Sequence, residues 1–348
     1  YGRLAPCVWS LRLLHTGVAL ALLTKYLRVS EAYAGTKCRM QEAKRPYALQ
    51  LKAMEAQLLS IIKSMAQDPS LIGDDCAVIE LGSEQYLFAL DNFVEDVHYS
   101  NDYFSVEDIG WKALAINISD IAAMAGQPLF ILVGLSLSDS IEDKENWVKD
   151  FYTGLNQCAE AFGNPKVIGG DICGSTAKTS ISITIVGKAT KALMRKSAEP
   201  GNLVCVTGSF GETGDFLQDT TKAVPAKHLR PEPRLQEAQA LLQTDSQAAL
   251  MDSSDGLAQA LFELAEQNQL ELEIDAAAIP HGKSISLEHA LYGGEDYELV
   301  TICMKAPKGF KVIGKAKPGM GKIYLDGELL TKAKIYRHFT DTLTTKFS

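Results

Sequence analysis

The chain has 348 residues, 46% of them hydrophobic and 22% charged, which suits a globular protein of two ordinary domains and excludes disordered and fibrous classes. Its 34 Lys and Arg against 43 Asp and Glu leave a net charge of −9, which disfavours binding to nucleic acid or an anionic membrane by bulk charge. An acidic protein that handles phosphates therefore needs local basic residues or bound cations. The seven cysteines are scattered, with no C-x-x-C pair, so no disulfide framework or zinc site is legible and a reducing compartment is expected. No apolar run is long enough to span a bilayer.

Residues 1–53 differ from the rest. An apolar stretch over 8–27 is broken by Arg12, His15 and Lys25, and Ala32-Tyr33-Ala34-Gly35 faintly suggests a signal-cleavage site. The expectation is an appendage outside the fold, non-native or disordered. A helix is predicted from 56 to 65, with Leu58, Leu59, Ile62 and Met65 at helical spacing. A strand is predicted over 86–90, then a helix over 106–125 capped by Ser105. A buried strand follows at 130–137, a helix at 145–162 and a half-buried strand at 180–186. Pro200-Gly201 marks the junction between two modules. Beyond it, strands are expected at 203–207, 270–274, 298–304 and 311–313, and helices at 235–242 and 257–267. A glycine-rich loop is expected at 208–214, and Asp326-Gly327 closes a late hairpin.

Four acidic clusters could carry chemistry: Asp74-Asp75, Asp91 with Glu95 and Asp96, Asp120, and Asp252 with Asp255. Oxygen-rich clusters suit Mg²⁺, which binds through a few carboxylates and the phosphates of a substrate. Each also has a plain structural reading, Asp74-Asp75 as a turn and Asp252–Asp255 as a helix cap. Asp120 stands on a helix that is apolar almost all round, so its carboxylate should be buried. A metal ligand is favoured there over a structural salt bridge. Gly169-Gly170-Asp171 places a carboxylate at an expected strand end, where a turn or a phosphate-and-metal site is possible. The glycine loop lacks the G-K-[ST] of a P-loop, and no G-x-S-x-G nucleophile elbow is present.

In order along residues 54–340 the motifs are Ile72-Gly73-Asp74-Asp75, Asp91 with Val97-His98, Gly110-Trp111-Lys112-Ala113, and Asn117-Ile118-Ser119-Asp120-Ile121-Ala122-Ala123-Met124. Gly169-Gly170-Asp171, Met251-Asp252-Ser253-Ser254-Asp255-Gly256, Gly293-Gly294-Glu295-Asp296-Tyr297 and Tyr336-Arg337-His338-Phe339 follow. Together they resemble the thiamine-monophosphate kinase family of the aminoimidazole-ribonucleotide-synthetase-like superfamily. The resemblance implies a mixed α+β and α/β fold of two domains. Residues 54–195 would form the ATP- and Mg-binding, dimerising sheet-plus-helix domain, and residues 196–348 an α/β domain. It implies several Mg²⁺ ions on Asp75, Asp91, Asp120, Asp171, Asp252 and Asp255, and ATP against Tyr152, Gly170, Asp171, Arg195 and Ser254. Thiamine monophosphate would meet His98, Glu295 and Tyr336, and transfer would be direct, with no covalent nucleophile. A cytoplasmic homodimer with no nucleic-acid or membrane partner is implied. The alternatives are a related ATP-dependent ligase or selenophosphate synthetase, or a non-catalytic nucleotide- or metal-binding homologue.

Three departures from the family pattern stand out. Ala89 and Leu90 replace two hydroxyl residues before Asp91, residues 1–53 have no counterpart, and the segments after Gly214 and before Gly293 are short. Deleting residues 1–53 is expected to leave a chain that folds and turns over like the full-length one; loss of soluble expression would overturn this.

Overall fold

The computed structural model describes residues 54–335, and residues 58–335 lie within one compact unit. Helix α1 spans Met54–Met65, beginning two residues before the predicted start. A five-stranded sheet follows, built from β1 Ala77–Leu81, β2 Glu84–Val94, β3 Gln127–Ser138, β4 Lys166–Ser175 and β5 Ser180–Ala189 in the order β1-β2-β5-β3-β4. All neighbours are antiparallel except the β3–β4 pair, whose parallel crossover is a helix. β1 is absent from the strands expected above, β4 runs past the strand end expected before Gly169, and β2 extends well beyond its predicted 86–90. The glycines of β4 hide its periodicity.

Helices α2 Val106–Ala123 and α3 Lys144–Ala161 cover the inner face of this sheet. They cross by backbone contact. A Cβ on Gly110 would lie 2.0 Å from the Phe151 carbonyl oxygen, and one on Gly154 would lie 1.8 Å from that of Glu107. Any side chain at either glycine would push the helices apart. Ser105 Oγ caps α2 by accepting from the Asp108 N–H at 3.1 Å, as its sequence predicts. The near-uniform apolarity of α2 is explained by its setting: it packs both on the first sheet and on the strand Ala249–Asp252 of the second module.

The expectation that 130–137 is a buried strand is corrected. β3 alternates, with Ile131, Val133, Leu135 and Leu137 buried and Phe130 and Leu132 exposed. Register places Phe88 and Phe130 beside Val186, and Leu90 and Leu132 beside Thr184, so one face of the sheet carries a cross-strand apolar patch open to solvent.

The second module holds a seven-stranded sheet. Its strands are β6 Leu203–Val206, β7 Ala249–Asp252, β8 Leu270–Ile274, β9 Leu299–Cys303, β10 Lys311–Pro318, β11 Ile323–Leu325 and β12 Glu328–Leu329, in the order β12-β11-β8-β10-β6-β9-β7. Its helices are α4 Glu212–Gln218, α5 Ala226–Leu229, α6 Leu235–Thr244, α7 Leu257–Gln267 and α8 Leu287–Tyr292. α7 and β8 match their predicted bounds. The glycine-rich loop is shorter than expected: it ends at Gly211, whose φ of +91° starts α4, so Gly214 is helical. Among the described residues no helix is long and apolar enough to cross a membrane.

Candidate active site

Helix α2 organises the site. Its Asn117 Oδ1 accepts the Asp91 backbone N–H at 3.3 Å, tying β2 to the helix. Ser119 Oγ donates to Asp252 Oδ2 at 2.6 Å, tying β7 to it. Asp120, one residue on, meets Asp75 and Asp252: one carboxylate oxygen from each of the three lies within 4.8 Å of the others. These residues come from the segment before β1, from α2 and from the end of β7.

Electrostatics confirm the crowding. Burial and then the charges of Asp91, Asp252 and Asp75 hold the Asp120 carboxyl well above its ordinary range, against the pull of Arg195. Burial and Asp75 push Asp252 up to about 7, although the Ser119 hydroxyl favours its charged form. Burial with Asp255 and Asp75 pushes Asp91 up to about 6, and burial with Asp75 does the same to Asp74. The cation that reaches this group is Arg195. It grips Asp75 with two bonds, Nη2 at 2.6 Å and Nε at 3.2 Å, while its backbone N–H donates to Asp74 at 3.2 Å. One guanidinium against six neighbouring carboxyl groups leaves a large acidic excess. Hard oxygen donors so arranged fit Mg²⁺.

The plain readings can now be weighed. Asp252 and Asp255 do not cap α7, whose N-cap is Gly256 with no side-chain bond. Asp74 does close a local turn, accepting from the Asp75 N–H at 3.2 Å. The glycine loop follows its packing reading: a Cβ on Gly208 would strike the Glu298 carboxylate at 1.9 Å.

Of the six aspartates expected to hold metal, Asp75, Asp120 and Asp252 are together, and Asp91 and Asp255 are their electrostatic neighbours. Asp171 is not gathered with them. It lies inside exposed β4, opposite Gly134, rather than at the strand end expected above, because β4 continues to Ser175. Gly170 beside it has φ +156°, and a Cβ there would meet the Val133 carbonyl oxygen at 1.9 Å. Arg195 and Ser254 share a cleft of about 260 Å³ with Asp252, Asp255, Lys63 and Gln259. Tyr152 is on α3, half-buried against the first core. His98 follows β2; its Nδ1 accepts the Val94 N–H at 3.0 Å. Tyr336 lies outside the described residues.

Glu295 is buried, 3.0 Å from Lys112 Nζ and 3.2 Å from His228 Nδ1. Lys112 and His228 are fully buried, and the ammonium lies 5.3 Å from the centre of the Phe104 ring. Lys112 stands above only within the Gly110-Trp111-Lys112-Ala113 motif, without a role of its own, and His228 not at all. For Lys112 a signal existed, a lysine between apolar residues of a buried helix, which demands an anion. For His228 no local signal exists.

Residues 73–189 match the N-terminal domain of AIR synthase related proteins and residues 199–322 match their C-terminal domain. Two α/β modules, each with its own sheet, are the fold of that class. The thiamine-monophosphate kinase of Bacillus subtilis is 38% identical over 249 residues, covering 66% of this chain and 75% of the relative. That of Aquifex aeolicus is 31% identical over 310 residues, covering 82% and 98%. The structure of AaThiL complexed with AMPPCP and TMP superposes with a TM-score of 0.73 at 31% identity, covering 81% of this chain and 96% of that one. The chain belongs to the thiamine-monophosphate kinase family and is a phosphotransferase.

Proposed function

We propose that this chain transfers the γ-phosphoryl group of ATP to the phosphate of thiamine monophosphate, forming thiamine diphosphate and ADP in one in-line step. The bond from γ-phosphorus to the β-bridging oxygen breaks as a bond to an acceptor phosphate oxygen forms. The observation that carries this reading is the convergence of Asp75, Asp120 and Asp252 within 4.8 Å from three distant parts of the chain. Phosphoryl transfer brings several anionic oxygens together, and such a cluster can hold the cations that neutralise them. Bound Mg²⁺ would supply that neutralisation.

In this reading Asp75, Asp91, Asp120, Asp171, Asp252 and Asp255 would hold Mg²⁺ ions, Asp171 from β4 and the others from the cluster around α2. Arg195 and Ser254 face ATP in the cleft they share, with Gly170 and Tyr152 completing its site. His98, Glu295 and Tyr336 hold thiamine monophosphate. Residues 54–195 form the ATP-binding and dimerising domain and 196–348 the second. Homodimerisation through the first sheet is supported by its exposed apolar face, where Phe88, Leu90, Phe130 and Leu132 lie in register. A cytoplasmic setting is supported by the five cysteines among the described residues, all free and four of them buried.

The purified chain with ATP, thiamine monophosphate and Mg²⁺ is expected to make thiamine diphosphate. ATP hydrolysis without that product, or no turnover, would sink the reading.

The two departures before Asp91 separate physically. Ala89 lies on the same face of β2 as Asp91, whereas Leu90 is on the outer, exposed face. Ala89→Thr is therefore expected to lower the Mg²⁺ concentration for half-maximal activity, and Leu90→Thr to leave it unchanged. Equal Mg²⁺ titrations for wild type and Ala89→Thr would refute this.

A further inference from the structure

The segment 293–298 lies flush against the loop that follows β7. A Cβ on Gly256 would sit 2.9 Å from the Gly293 carbonyl oxygen. The Glu295 N–H donates to the Ser254 carbonyl at 2.7 Å, and the Glu298 N–H donates to Ser253 Oγ at 3.2 Å. Between those two pins the side chains diverge. Glu295 reaches Lys112, Asp296 Oδ2 accepts the Gly211 N–H at 2.9 Å, and Tyr297 crosses to pack on the core of the first module. Glu295 and Tyr297 both have left-handed backbones, φ +67° and +51°. Such conformations cost a non-glycine residue on the order of 1–3 kcal/mol and persist only where the surroundings enforce them.

The enforced conformation carries the Tyr297 side chain from the Ser253–Ser254 loop, beside Asp252 and Asp255, onto the core of the first module, where burial and then the charges of Glu295, Asp91, Asp252 and Asp255 hold its phenol well above the ordinary range. Its hydroxyl makes no hydrogen bond to another described residue. Ionised carboxylates only accept hydrogen bonds, as do phosphoryl oxygens, so a phosphate arriving here meets few donors. A phenol supplies one without adding charge, and it keeps its proton at neutral pH whether or not cations neutralise the acids around it.

We propose that Tyr297 is a further substrate-contacting residue, whose hydroxyl donates a hydrogen bond to a phosphoryl oxygen held between the aspartates of β2 and β7 and Glu295. The proposal rests on the phosphoryl-transfer reading above. Tyr297→Phe keeps the ring and its packing and removes only the donor. It is expected to lower kcat/KM for thiamine diphosphate formation by about 10- to 100-fold, the range of a hydrogen bond to a charged group. The urea midpoint in Mg²⁺-free buffer should stay at the wild-type value.

Calorimetric titration of each substrate onto the Mg²⁺-loaded variant locates the contact. Weakened binding of thiamine monophosphate alone assigns it to the acceptor phosphate, and weakened ATP binding alone to the γ-phosphate. Unchanged binding of both with lowered kcat assigns it to the group in transfer. A Phe variant with kcat/KM within twofold of wild type overturns the proposal. So does an activity loss that only matches a lowered folded fraction under the assay conditions, with the urea midpoint shifted below that of wild type. A wild-type protein that makes no thiamine diphosphate would instead defeat the parent reading, a result distinguishable from either.

Discussion

Asp120→Asn is expected to cut thiamine diphosphate formation by roughly 10³-fold, the scale of losing a preorganised electrostatic contact, while the protein folds normally without Mg²⁺. Asn keeps the shape and one carbonyl oxygen but removes the charge a cation requires. The alternative, in which Asp120 is half of a structural ion pair, predicts the opposite melting behaviour: a stranded buried partner costs about 3–5 kcal/mol. The geometry favours the first outcome. The cation that lowers Asp120's pKa is Arg195, and its guanidinium is committed to Asp75. Asp91, Asp252 and Asp75 all repel Asp120, so removing its charge relieves strain in the cation-free protein. A melting midpoint in Mg²⁺-free buffer at or above wild type, with turnover lost, is the expected pair of results. A large drop in midpoint would restore the salt-bridge reading.

The same crowding gives the cation-free protein a pH dependence of definite sign. Asp74 and Asp91 are held up to about 6 and Asp252 to about 7, all from 3.8. The folded chain therefore binds more protons than the unfolded chain between about pH 4 and 7. Stability is greatest at the acid end of that window and is lost as pH rises through the folded-state values. Melting midpoints without Mg²⁺ should fall from pH 5 to pH 8. The fall should be shallower in Asp120→Asn, and Mg²⁺ should flatten it. A midpoint that rises over that range would contradict the assignment.

Lys112→Met is expected to destabilise the chain by about 3–5 kcal/mol, because Glu295 would lose the ammonium 3.0 Å away in a site with almost no solvent. Met preserves most of the aliphatic stem and removes the ammonium that lies over the Phe93 and Phe104 rings, so charge more than volume is tested. Neutralising the anion as well should recover part of the loss: Lys112→Met with Glu295→Gln should unfold at higher urea than Lys112→Met alone. On the proposal that Glu295 contacts thiamine monophosphate, the single variant should raise KM for that substrate and leave KM for ATP near wild type. A Lys112→Met protein within about 1 kcal/mol of wild type would show that the lysine charge is dispensable to the fold.

Much of this molecule was written locally. α7 and β8 fall where apolar spacing puts them, and Ser105 caps α2 as its sequence predicts. That Asp120 needed a special explanation was also legible, because a carboxylate on a helix apolar all round is an energetic contradiction wherever the helix goes. Periodicity reports which side of an element is buried, but not what lies opposite. Asp75, Asp120 and Asp252 are scattered in sequence, and only the packing of α2 against both modules brings them within 4.8 Å. The same packing sets His228 beside Glu295 and brings Tyr297 from the second module onto the core of the first. Asp171 shows the converse. Its motif read as a strand end, yet β4 runs on to Ser175 because pairing with β3 supplies the hydrogen bonds that its glycine-rich sequence does not advertise. Sequence alone determined which residues needed partners; the partners themselves were decided by contacts between segments far apart in the chain.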